Sequence, residues 1–365
     1  MRRSDKNKTK IIHIIPTLNF GGAERFVVDL VNNSEKFDYS ILVFKNEIPL
    51  AKEILKSDVK AHILEKKNLF GFVKDLKNKL KELQPDIVHT HLFGGDVYGR
   101  LAAHKLNIPV VTTEHNFNTG EGLVKNKIKK HFRNYSDKYI ACSEGVKKYM
   151  QEVYKIKKDI QVIRYGIDLE RFKNIKPLRV NKKINFLLLG RLVEQKGYDI
   201  ALKILAKLKE YDWELTIVGE GDQERVLKSL VEKLDIKNRV TFLPPTHDVP
   251  GIFDNVDVML MPSRWEGLGI VIMEAMVAGR LVIGSRVGGI PELIKHGENG
   301  LLVEPGNVEA WIGQLSEVFE DEEKYYALGE KAKAYAKNNF GIEQMVKSYE
   351  DIYEEAEDSR LKIQD

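Results

Sequence analysis

Two glutamates that flank a glycine-bearing loop, Glu266 and Glu274, have types and spacing that suit ligand chemistry. The apolar run 258–261 precedes the loop at 267–269, and a helix-like segment, 270–278, follows it. Backbone N–H groups at such a helix N-terminus stabilise anionic phosphates. A carboxylate beside a phosphate site needs hydrogen-bond donors, and the hydroxyl groups of a sugar can supply them. The pattern therefore predicts a ligand that carries both a diphosphate and sugar hydroxyls.

Two cations, Arg191 and Lys196, lie in a second strand-to-helix turn, L-G-R-L-V-E-Q-K-G. Fixed cations in such a turn stabilise negative charge on a ligand. Arginine suits forked contacts with phosphate, whereas lysine acts as a point charge. A surface ion pair could explain either residue alone, but it explains both together poorly. The turn therefore suits an anionic ligand.

The first half of the chain carries glycines and histidines near predicted strand ends. Gly21 and Gly22 separate the first strand from a helix, where glycine lets the backbone approach a ligand. Ligands in open α/β sheets bind beyond the carboxyl ends of the strands, which favours a binding role for this turn over a purely structural one. His89 and His91 point to the same face of their strand, and a metal site is conceivable there, but no third ligand is evident.

Strand-like and helix-like segments alternate along the chain, which predicts parallel sheets covered on both faces. A polar stretch at 171–183 separates two such series. Strands are predicted at 11–18, 39–44, 61–64, 86–91, 109–115, 138–143 and 160–165, and then at 184–190, 214–219, 239–243, 256–261, 281–284 and 300–303. The fold class is therefore α/β, with two Rossmann-like domains.

The block E-G-L-G-I-V-I-M-E-A-M-V-A-G and the later G-G-I-P-E resemble the E-x7-E signature of glycosyltransferase family 4, also called glycosyl transferases group 1. Members are retaining enzymes with the GT-B fold, in which two Rossmann-like domains with parallel sheets face a central cleft. The resemblance covers nearly the whole chain and is most specific from 189 to 292. It implies an acceptor domain at 1–172, onto which a C-terminal helix at about 345–365 packs back, and a nucleotide-sugar donor domain at 181–344.

The resemblance also implies a role for each candidate residue. Glu274 accepts hydrogen bonds from the donor's ribose hydroxyls, Glu266 holds the donor sugar, and His115 lies beside the anomeric carbon. Arg191 and Lys196 clamp the donor diphosphate and stabilise the negative charge that grows on the leaving oxygen. Catalysis is assigned to His115, Glu266, Arg191 and Lys196. The nucleotide sugar is bound by Gly21, Gly22, Arg191, Lys196, Glu266, Gly267, Leu268, Gly269, Ile270 and Glu274.

The implied reaction moves a hexose or N-acetylhexosamine from a nucleotide sugar, expected to be UDP-linked, to a glycan or lipid-linked acceptor. The product serves cell-surface polysaccharide or glycolipid synthesis. Retention of configuration is implied, with no metal and no cofactor beyond the co-substrate. A nucleotide-sugar epimerase or phosphorylase of the same fold, and a non-catalytic partner subunit, stay open as alternatives.

Two positions depart from the family pattern. Tyr165 stands where the family often has Asn before the G-I-D turn. The stretch L-P-P-T-H after Phe242 lacks the glycine that is usual near Pro244, where the pocket for the base is built. The identity of the base is therefore implied less firmly than phosphate binding.

Charge is distributed unevenly, because residues 1–180 hold 35 Lys and Arg against 21 Asp and Glu, whereas 181–365 hold 23 against 33. The basic half predicts either an anionic membrane surface or phosphate-bearing acceptor as partner, or a solvated lysine-rich surface. Its lysines concentrate at 66–81, beside an apolar stripe, and at 125–133. The single cysteine, Cys142, is compatible with the reducing cytosol. We expect a cytoplasmic protein, soluble or peripheral at the membrane, with no nucleic-acid partner.

Overall fold

A computed structural model describes residues 8–56, 58–65, 69–117, 122–177 and 183–364 of the 365-residue chain. The chain divides into two compact α/β units. The first contains residues up to Gly166 together with the C-terminal segment from Ile342, and the second runs from Ile167 to Gly341. Each unit is described here by itself.

The first unit is built on a parallel sheet with the strand order β3-β2-β1-β4-β5-β6-β7. The order reverses between β1 and β4, so the loops that leave these two strands diverge and create the switch point at which ligands bind in such sheets. The strands are β1 Lys10–Ile15, β2 Asp38–Val43, β3 Lys60–Ile63, β4 Ile87–His91, β5 Val110–Glu114, β6 Lys138–Ala141 and β7 Ile160–Val162.

The second unit has a parallel sheet with the order β10-β9-β8-β11-β12-β13, and its switch point lies between β8 and β11. The strands are β8 Ile184–Leu189, β9 Trp213–Val218, β10 Val240–Leu243, β11 Val258–Met261, β12 Leu281–Ser285 and β13 Leu301–Val303. These thirteen strands confirm the predicted strands, and two parallel-sheet units of this kind confirm the predicted α/β class.

Helices cover both faces of each sheet, as the alternating sequence pattern predicted. Those of the first unit are α1 Gly22–Asn33, α2 Leu69–Leu83, α3 Leu92–His104, α4 Gly122–His131, α5 Glu144–Glu152 and the C-terminal α13 Ile342–Gln364. Those of the second are α6 Tyr198–Leu205, α7 Glu224–Lys233, α8 Val249–Ile252, α9 Ile270–Val277, α10 Ile290–Leu293, α11 Val308–Glu320 and α12 Glu322–Asn339. Within the described residues, none of these helices has an apolar stretch long enough to cross a bilayer.

The apolar stripe of α2 packs into the core of the first unit. Phe72, Leu76 and Leu80, spaced four residues apart on one helix face, are buried against Ile12 and Val88 of the sheet. Each such side chain contributes about 1.5–3 kcal/mol by leaving water. Of the predicted basic segment that contains this stripe, residues 66–68 lie outside the described residues, as do residues 178–182 of the predicted linker.

The last helix, α13, completes the opposite face of the first sheet. Its Tyr349 ring lies 4.9 Å from that of Phe26 in α1, and its Tyr353 hydroxyl lies 2.7 Å from His89 Nδ1 in β4. Ser34 donates a 2.6 Å hydrogen bond to Glu350 of the same helix. Residues at the two ends of the chain therefore share one core.

Candidate functional site

The candidate donor residues of the second unit lie in the two loops that leave the switch-point strands. Arg191 and Lys196 follow β8, and Glu266 lies in the loop that follows β11. The carboxyl ends of adjacent parallel strands meet at one edge of a sheet, so the topology brings these loops together. The separation of Lys196 and Glu266 along the sequence does not indicate this proximity.

A close backbone approach locks the two loops against each other. Gly197 has a left-handed conformation (φ +65°), and a Cβ atom there would lie only 2.1 Å from the carbonyl oxygen of Pro262. Glycine is therefore required at this position by both conformation and space. Arg264 reinforces the contact, since its backbone N–H donates to Gln195 O at 2.8 Å.

The Arg264 side chain clamps the same pair of loops. Its two terminal nitrogens lie 2.9 and 3.0 Å from the two carboxylate oxygens of Asp199 in α6. One of these nitrogens also donates to the carbonyl oxygen of Glu194 at 2.9 Å. Burial alone would raise the pKa of Asp199, but hydrogen bonds from Arg264 and Lys203 outweigh it and lower the pKa.

Lys196 and Glu266 form an ion pair inside this loop assembly. The Nζ atom of Lys196 lies 2.6 Å from Oε2 of Glu266, and only 11% and 8% of the two side chains are exposed. Beside them, the Tyr198 hydroxyl is buried without a hydrogen-bond partner among the described residues. Burial raises the pKa of Tyr198, and the nearby Glu266 raises it further, so this group stays a neutral donor. Arg191, by contrast, is exposed.

The N-terminus of α9 lies directly after the Glu266 loop. Gly269 caps it in a left-handed conformation (φ +95°), which is readily available only to glycine. Gly267, Leu268 and Ile270 complete the turn around this cap. Glu274 is buried one turn further along α9, at 5% exposure, so both glutamates of the predicted pair lie in the interior of the second unit.

In the first unit, the predicted glycine loop opens α1 beyond the end of β1. Gly22 begins the helix and is exposed, and Gly21 caps it with extended backbone. Glu24 folds back over this loop, so that a Cβ atom on Gly21 would lie 2.3 Å from a Glu24 carboxylate oxygen. Glu24 also accepts a 3.2 Å hydrogen bond from Thr17. Because this loop follows β1, it lies at the switch point of the first sheet.

His115, just beyond β5, is buried and uses both ring nitrogens. Its Nδ1 lies 2.8 Å from the Tyr165 hydroxyl, and its Nε2 lies 2.9 Å from His91 Nδ1. Burial and the nearby Lys129 lower the pKa of His115 to about 3, so the ring is neutral at neutral pH. The predicted site histidine is thus one member of a hydrogen-bonded chain.

That chain continues to His13 in β1, a residue that the sequence did not single out. His91 Nε2 lies 2.9 Å from His13 Nδ1, and the rings of the two residues are stacked. Burial lowers the pKa of His13 to about 3. The sequence carried one signal, because His13 is the polar residue of the otherwise apolar run 11–15. Only the strand order of the structure places β1 beside β4.

His13 also supplies the third ligand that the sequence lacked for a metal site with His89 and His91. Nitrogens of the three residues lie within 4.8 Å of one another. However, His89 is engaged by Tyr353 and Thr113, and both nitrogens of His91 bond to other histidines. Ligation would break these bonds, so the donor set fits a hydrogen-bond network better than a metal ion.

Beside His115, Glu114 pairs with Lys129 of α4 in a buried ion pair. Lys129 also lies 3.3 Å from Asp96 Oδ2. Burial alone would lower the pKa of Lys129, but the attraction of Glu114 and Asp96 outweighs it and raises the pKa. Lys129, counted from the sequence among the outward-facing cations of 125–133, is therefore interior.

Known proteins are similar to this chain over nearly its whole length. Residues 20–171 match the family described as Glycosyltransferase Family 4, and residues 170–335 match the family described as Glycosyl transferases group 1. An uncharacterized glycosyltransferase of Haemophilus influenzae is 32% identical over 345 residues, which cover 91% of this chain and 96% of that protein.

Two further similar proteins have informative names. The UDP-Gal:alpha-D-GlcNAc-diphosphoundecaprenol alpha-1,3-galactosyltransferase of Escherichia coli is 28% identical, over 96% of this chain and 98% of the relative. The crystal structure of Anabaena HepE in complex with UDP and glucose superposes with a TM-score of 0.83 at 20% identity, over 95% of this chain and 100% of HepE. This structural similarity to HepE confirms the predicted GT-B fold.

Proposed function

Because this chain belongs to glycosyltransferase family 4, we propose that it moves a hexose or an N-acetylhexosamine from a nucleotide sugar to a glycan or lipid-linked acceptor. Glycosyl transfer itself follows from family membership. The donor, the stereochemistry and the acceptor are the proposed part. The observation that supports a nucleotide-sugar donor most directly is the cluster of Arg191, Lys196 and Glu266 with the N-terminus of α9 at one switch point.

This cluster has the charges that departure of a diphosphate requires. Arg191 is exposed and can close on a phosphate, whereas Lys196 is held in place by Glu266. Both cations, and the N–H groups at the start of α9, would stabilise negative charge on the leaving oxygen. We propose that these groups carry the leaving-group role without a metal ion.

The carboxylates would recognise hydroxyl groups of the donor. Glu266 would accept hydrogen bonds from the sugar, together with backbone groups of Gly267, Leu268 and Gly269. Glu274, buried in α9, would accept hydrogen bonds from the ribose. Charge-assisted hydrogen bonds of this kind contribute about 1.5–3 kcal/mol each.

The proposed reaction retains the configuration of the sugar. The bond between the anomeric carbon and the diphosphate oxygen breaks, and the acceptor hydroxyl oxygen bonds to that carbon on the same face. The hydroxyl proton passes to the departing diphosphate, so charge and atoms balance. We assign His115 a part in this transfer step, and the loop at Gly21 and Gly22 a part in substrate binding.

Two similar proteins support a UDP-linked donor and a lipid-linked or glycan acceptor. The Escherichia coli relative is named as a galactosyltransferase that uses UDP-Gal and a diphosphoundecaprenol-linked acceptor. HepE was solved with UDP and glucose. We therefore propose a UDP-sugar donor for this chain and a role in cell-surface polysaccharide or glycolipid synthesis.

We also propose that the first unit meets its acceptor at an anionic membrane surface. The stripe of α2 is buried, so it does not supply the contact. The start of α4 is better suited, because Leu123 and Val124 are 82% and 68% exposed and the lysines Lys127 and Lys130 are exposed on the same helix. Each cation near such a surface contributes about 1 kcal/mol.

A donor screen tests the proposed function. Thermal stabilisation and slow hydrolysis are measured with UDP-, GDP- and ADP-sugars, with and without EDTA. Stabilisation and sugar release with a UDP-sugar, unchanged by EDTA, would support the proposal. Interconversion of two free nucleotide sugars without any acceptor would instead indicate an epimerase, and loss of activity with EDTA would contradict the metal-free mechanism.

A further inference from the structure

Four buried side chains of the first unit form a hydrogen-bonded chain from β1 to the residues after β7. In order they are His13, His91, His115 and Tyr165, and we call them the histidine relay. The three links measure 2.9, 2.9 and 2.8 Å. None of the four residues is more than 6% exposed.

A neutral imidazole has one N–H donor and one bare acceptor nitrogen, so each link constrains the next. If His13 donates through Nδ1, then His91 must donate through Nδ1 to His115, and His115 must donate through Nδ1 to the Tyr165 oxygen. If the Tyr165 hydroxyl donates instead, all three imidazoles reverse together. The relay therefore has two ordered states, and the tautomer of one ring fixes the other two.

The end of the relay at His13 favours one of these two states. His13 Nε2 is buried and has no hydrogen-bond partner among the described residues. In the reversed state this atom would carry an unsatisfied N–H whose direction is fixed by the ring. In the first state it is only a bare acceptor, and the donor left outside the relay is the Tyr165 hydroxyl hydrogen, which can rotate toward another acceptor. Buried N–H donors without a partner are rarer than under-used acceptors. The first state, with Nδ1–H on all three rings, is therefore favoured.

We propose that the histidine relay fixes His115 as the Nδ1–H tautomer and so holds its ring in one orientation for glycosyl transfer, with His91 and Tyr165 as positioning residues. Both ring nitrogens serve the relay, so His115 contributes through the placement of its ring and not by moving a proton. This inference rests on the proposed function, in which His115 takes part in the transfer step. The hydroxyl of Tyr165 is the acceptor that completes the order, and its ring stacks on His115 at an angle of 16°. Tyr165 is also the position at which this chain departs from the residue usual in the family.

Nitrogen NMR of the unaltered protein, labelled with 15N-histidine and assigned with single His→Gln variants, tests the order directly. We expect His13, His91 and His115 each to show a protonated Nδ1 and a bare Nε2, unchanged between pH 6 and pH 8. An Nε2–H tautomer at His115, or three rings with unlike tautomers, would overturn the order.

Tyr165→Phe is the sharpest variant, because it removes one hydroxyl and keeps the ring. Without that acceptor, an unsatisfied N–H must lie either at His115 or at His13, so neither ordered state is favoured. We expect all three rings to change to mixed tautomers together. A change confined to His115, or no change, would overturn the coupling. The matched control is Tyr349→Phe, which removes a buried hydroxyl that contacts Thr113 outside the relay and should leave the three tautomers unaltered.

Activity separates a positioning role from a structural one. Tyr165→Phe and His91→Gln should lower kcat at least tenfold and change KM for the donor less than twofold, whereas Tyr349→Phe should change neither. A kcat equal to wild type in a Tyr165→Phe protein with mixed tautomers would overturn the positioning role. If the wild type transfers no sugar from any donor, the proposed function and the positioning role both fail, while the tautomer order is still decided by NMR alone.

Discussion

Lys196 and Glu266, 70 residues apart in the sequence, meet as an ion pair of 2.6 Å in the interior of the second unit. Each lies in a loop that leaves a switch-point strand, and the approach of Gly197 to Pro262 holds the two loops together. The pair is thus fixed before any substrate arrives. A preorganised cation and carboxylate need little rearrangement during the reaction, which is where such groups are most effective.

Removing either candidate cation should lower turnover, but only one removal should also weaken folding. Lys196→Ala leaves the Glu266 carboxylate buried without its partner and should cost about 3 kcal/mol of unfolding free energy. Arg191→Ala removes an exposed side chain and should change that free energy by less than about 0.5 kcal/mol. Denaturant titrations and initial rates at saturating donor measure the two effects. Full recovery of both variants on addition of magnesium alone would contradict the role of the cations.

The Arg264 clamp should affect donor binding through the geometry of the loops. Arg264→Lys keeps the charge but loses the two parallel contacts with Asp199, so we expect KM for the donor to rise about threefold to tenfold with little change in kcat. The control is Arg239→Lys, since Arg239 bonds to backbone carbonyls of Tyr211 and Lys209, away from the switch point. Equal donor KM values for both variants would show that the clamp does not shape the site.

Glu274→Gln should weaken binding of the nucleotide. An amide is a poorer acceptor for two ribose hydroxyls than a carboxylate, and the loss should be about 1.5–3 kcal/mol. Calorimetry with UDP measures it, with Glu320→Gln, an exposed glutamate on α11, as control. Unchanged UDP affinity in a folded Glu274→Gln protein would remove the ribose role.

Acid should destabilise the first unit, because its buried histidines remain neutral in the folded state. The pKa of His13 and that of His115 are both lowered to about 3, whereas in the unfolded chain each ring takes up a proton below about pH 6.5. The unfolded state then binds more protons, so stability is complete above pH 6.5 and falls as the pH drops from 6.5 towards 3. Protonation of each ring in the unfolded state should lower the free energy of unfolding by about 1.4 kcal/mol per pH unit between pH 6.5 and pH 3.

Urea titrations at pH 7.5 and pH 5.5 measure this dependence. His13→Gln should reduce the slope of stability against pH by the contribution of one ring. Stability that rises on acidification, or a slope unaffected by His13→Gln, would be inconsistent with a neutral buried ring.

The start of α4 should mediate binding to anionic vesicles. Leu123→Ser/Val124→Ser should reduce co-sedimentation with vesicles that contain anionic lipid, and rising salt should reduce binding of the unaltered protein because charges are screened. Val226→Ser, at a residue 54% exposed in the second unit, is the matched control. Equal recovery on neutral and anionic vesicles would leave a soluble acceptor as the better proposal.

The fold could be predicted closely because local patterns determine it. Alternating apolar runs and helical segments located the thirteen strands of the described residues, and turn glycines marked the starts of α1 and α9. Long-range contacts were out of reach, since the proximity of Lys196 to Glu266 depends on strand order, which the sequence does not state. The third histidine was missed for the same reason, because His13 and His91 become neighbours only when β1 and β4 pair.

Lysine-rich segments were predicted less well, because a basic run does not show which of its members face inward. Lys129 looked like its neighbours in 125–133, yet it is buried with Glu114 and Asp96. The period of α4 puts every third or fourth side chain on the inner face. Only the position of the acidic partners shows that this lysine belongs there.

The contribution of α13 to the first unit has a consequence for the time course of synthesis. The ribosome makes β1 to β7 first, then the whole second unit, and only then the helix that covers His89 and Thr113 with Tyr353 and Tyr349. At ordinary rates of translation this interval lasts on the order of ten seconds or more. The nascent first unit therefore exposes, throughout that time, the part of one sheet face that α13 covers, and a chain that stalls within the second unit presents this part to chaperones.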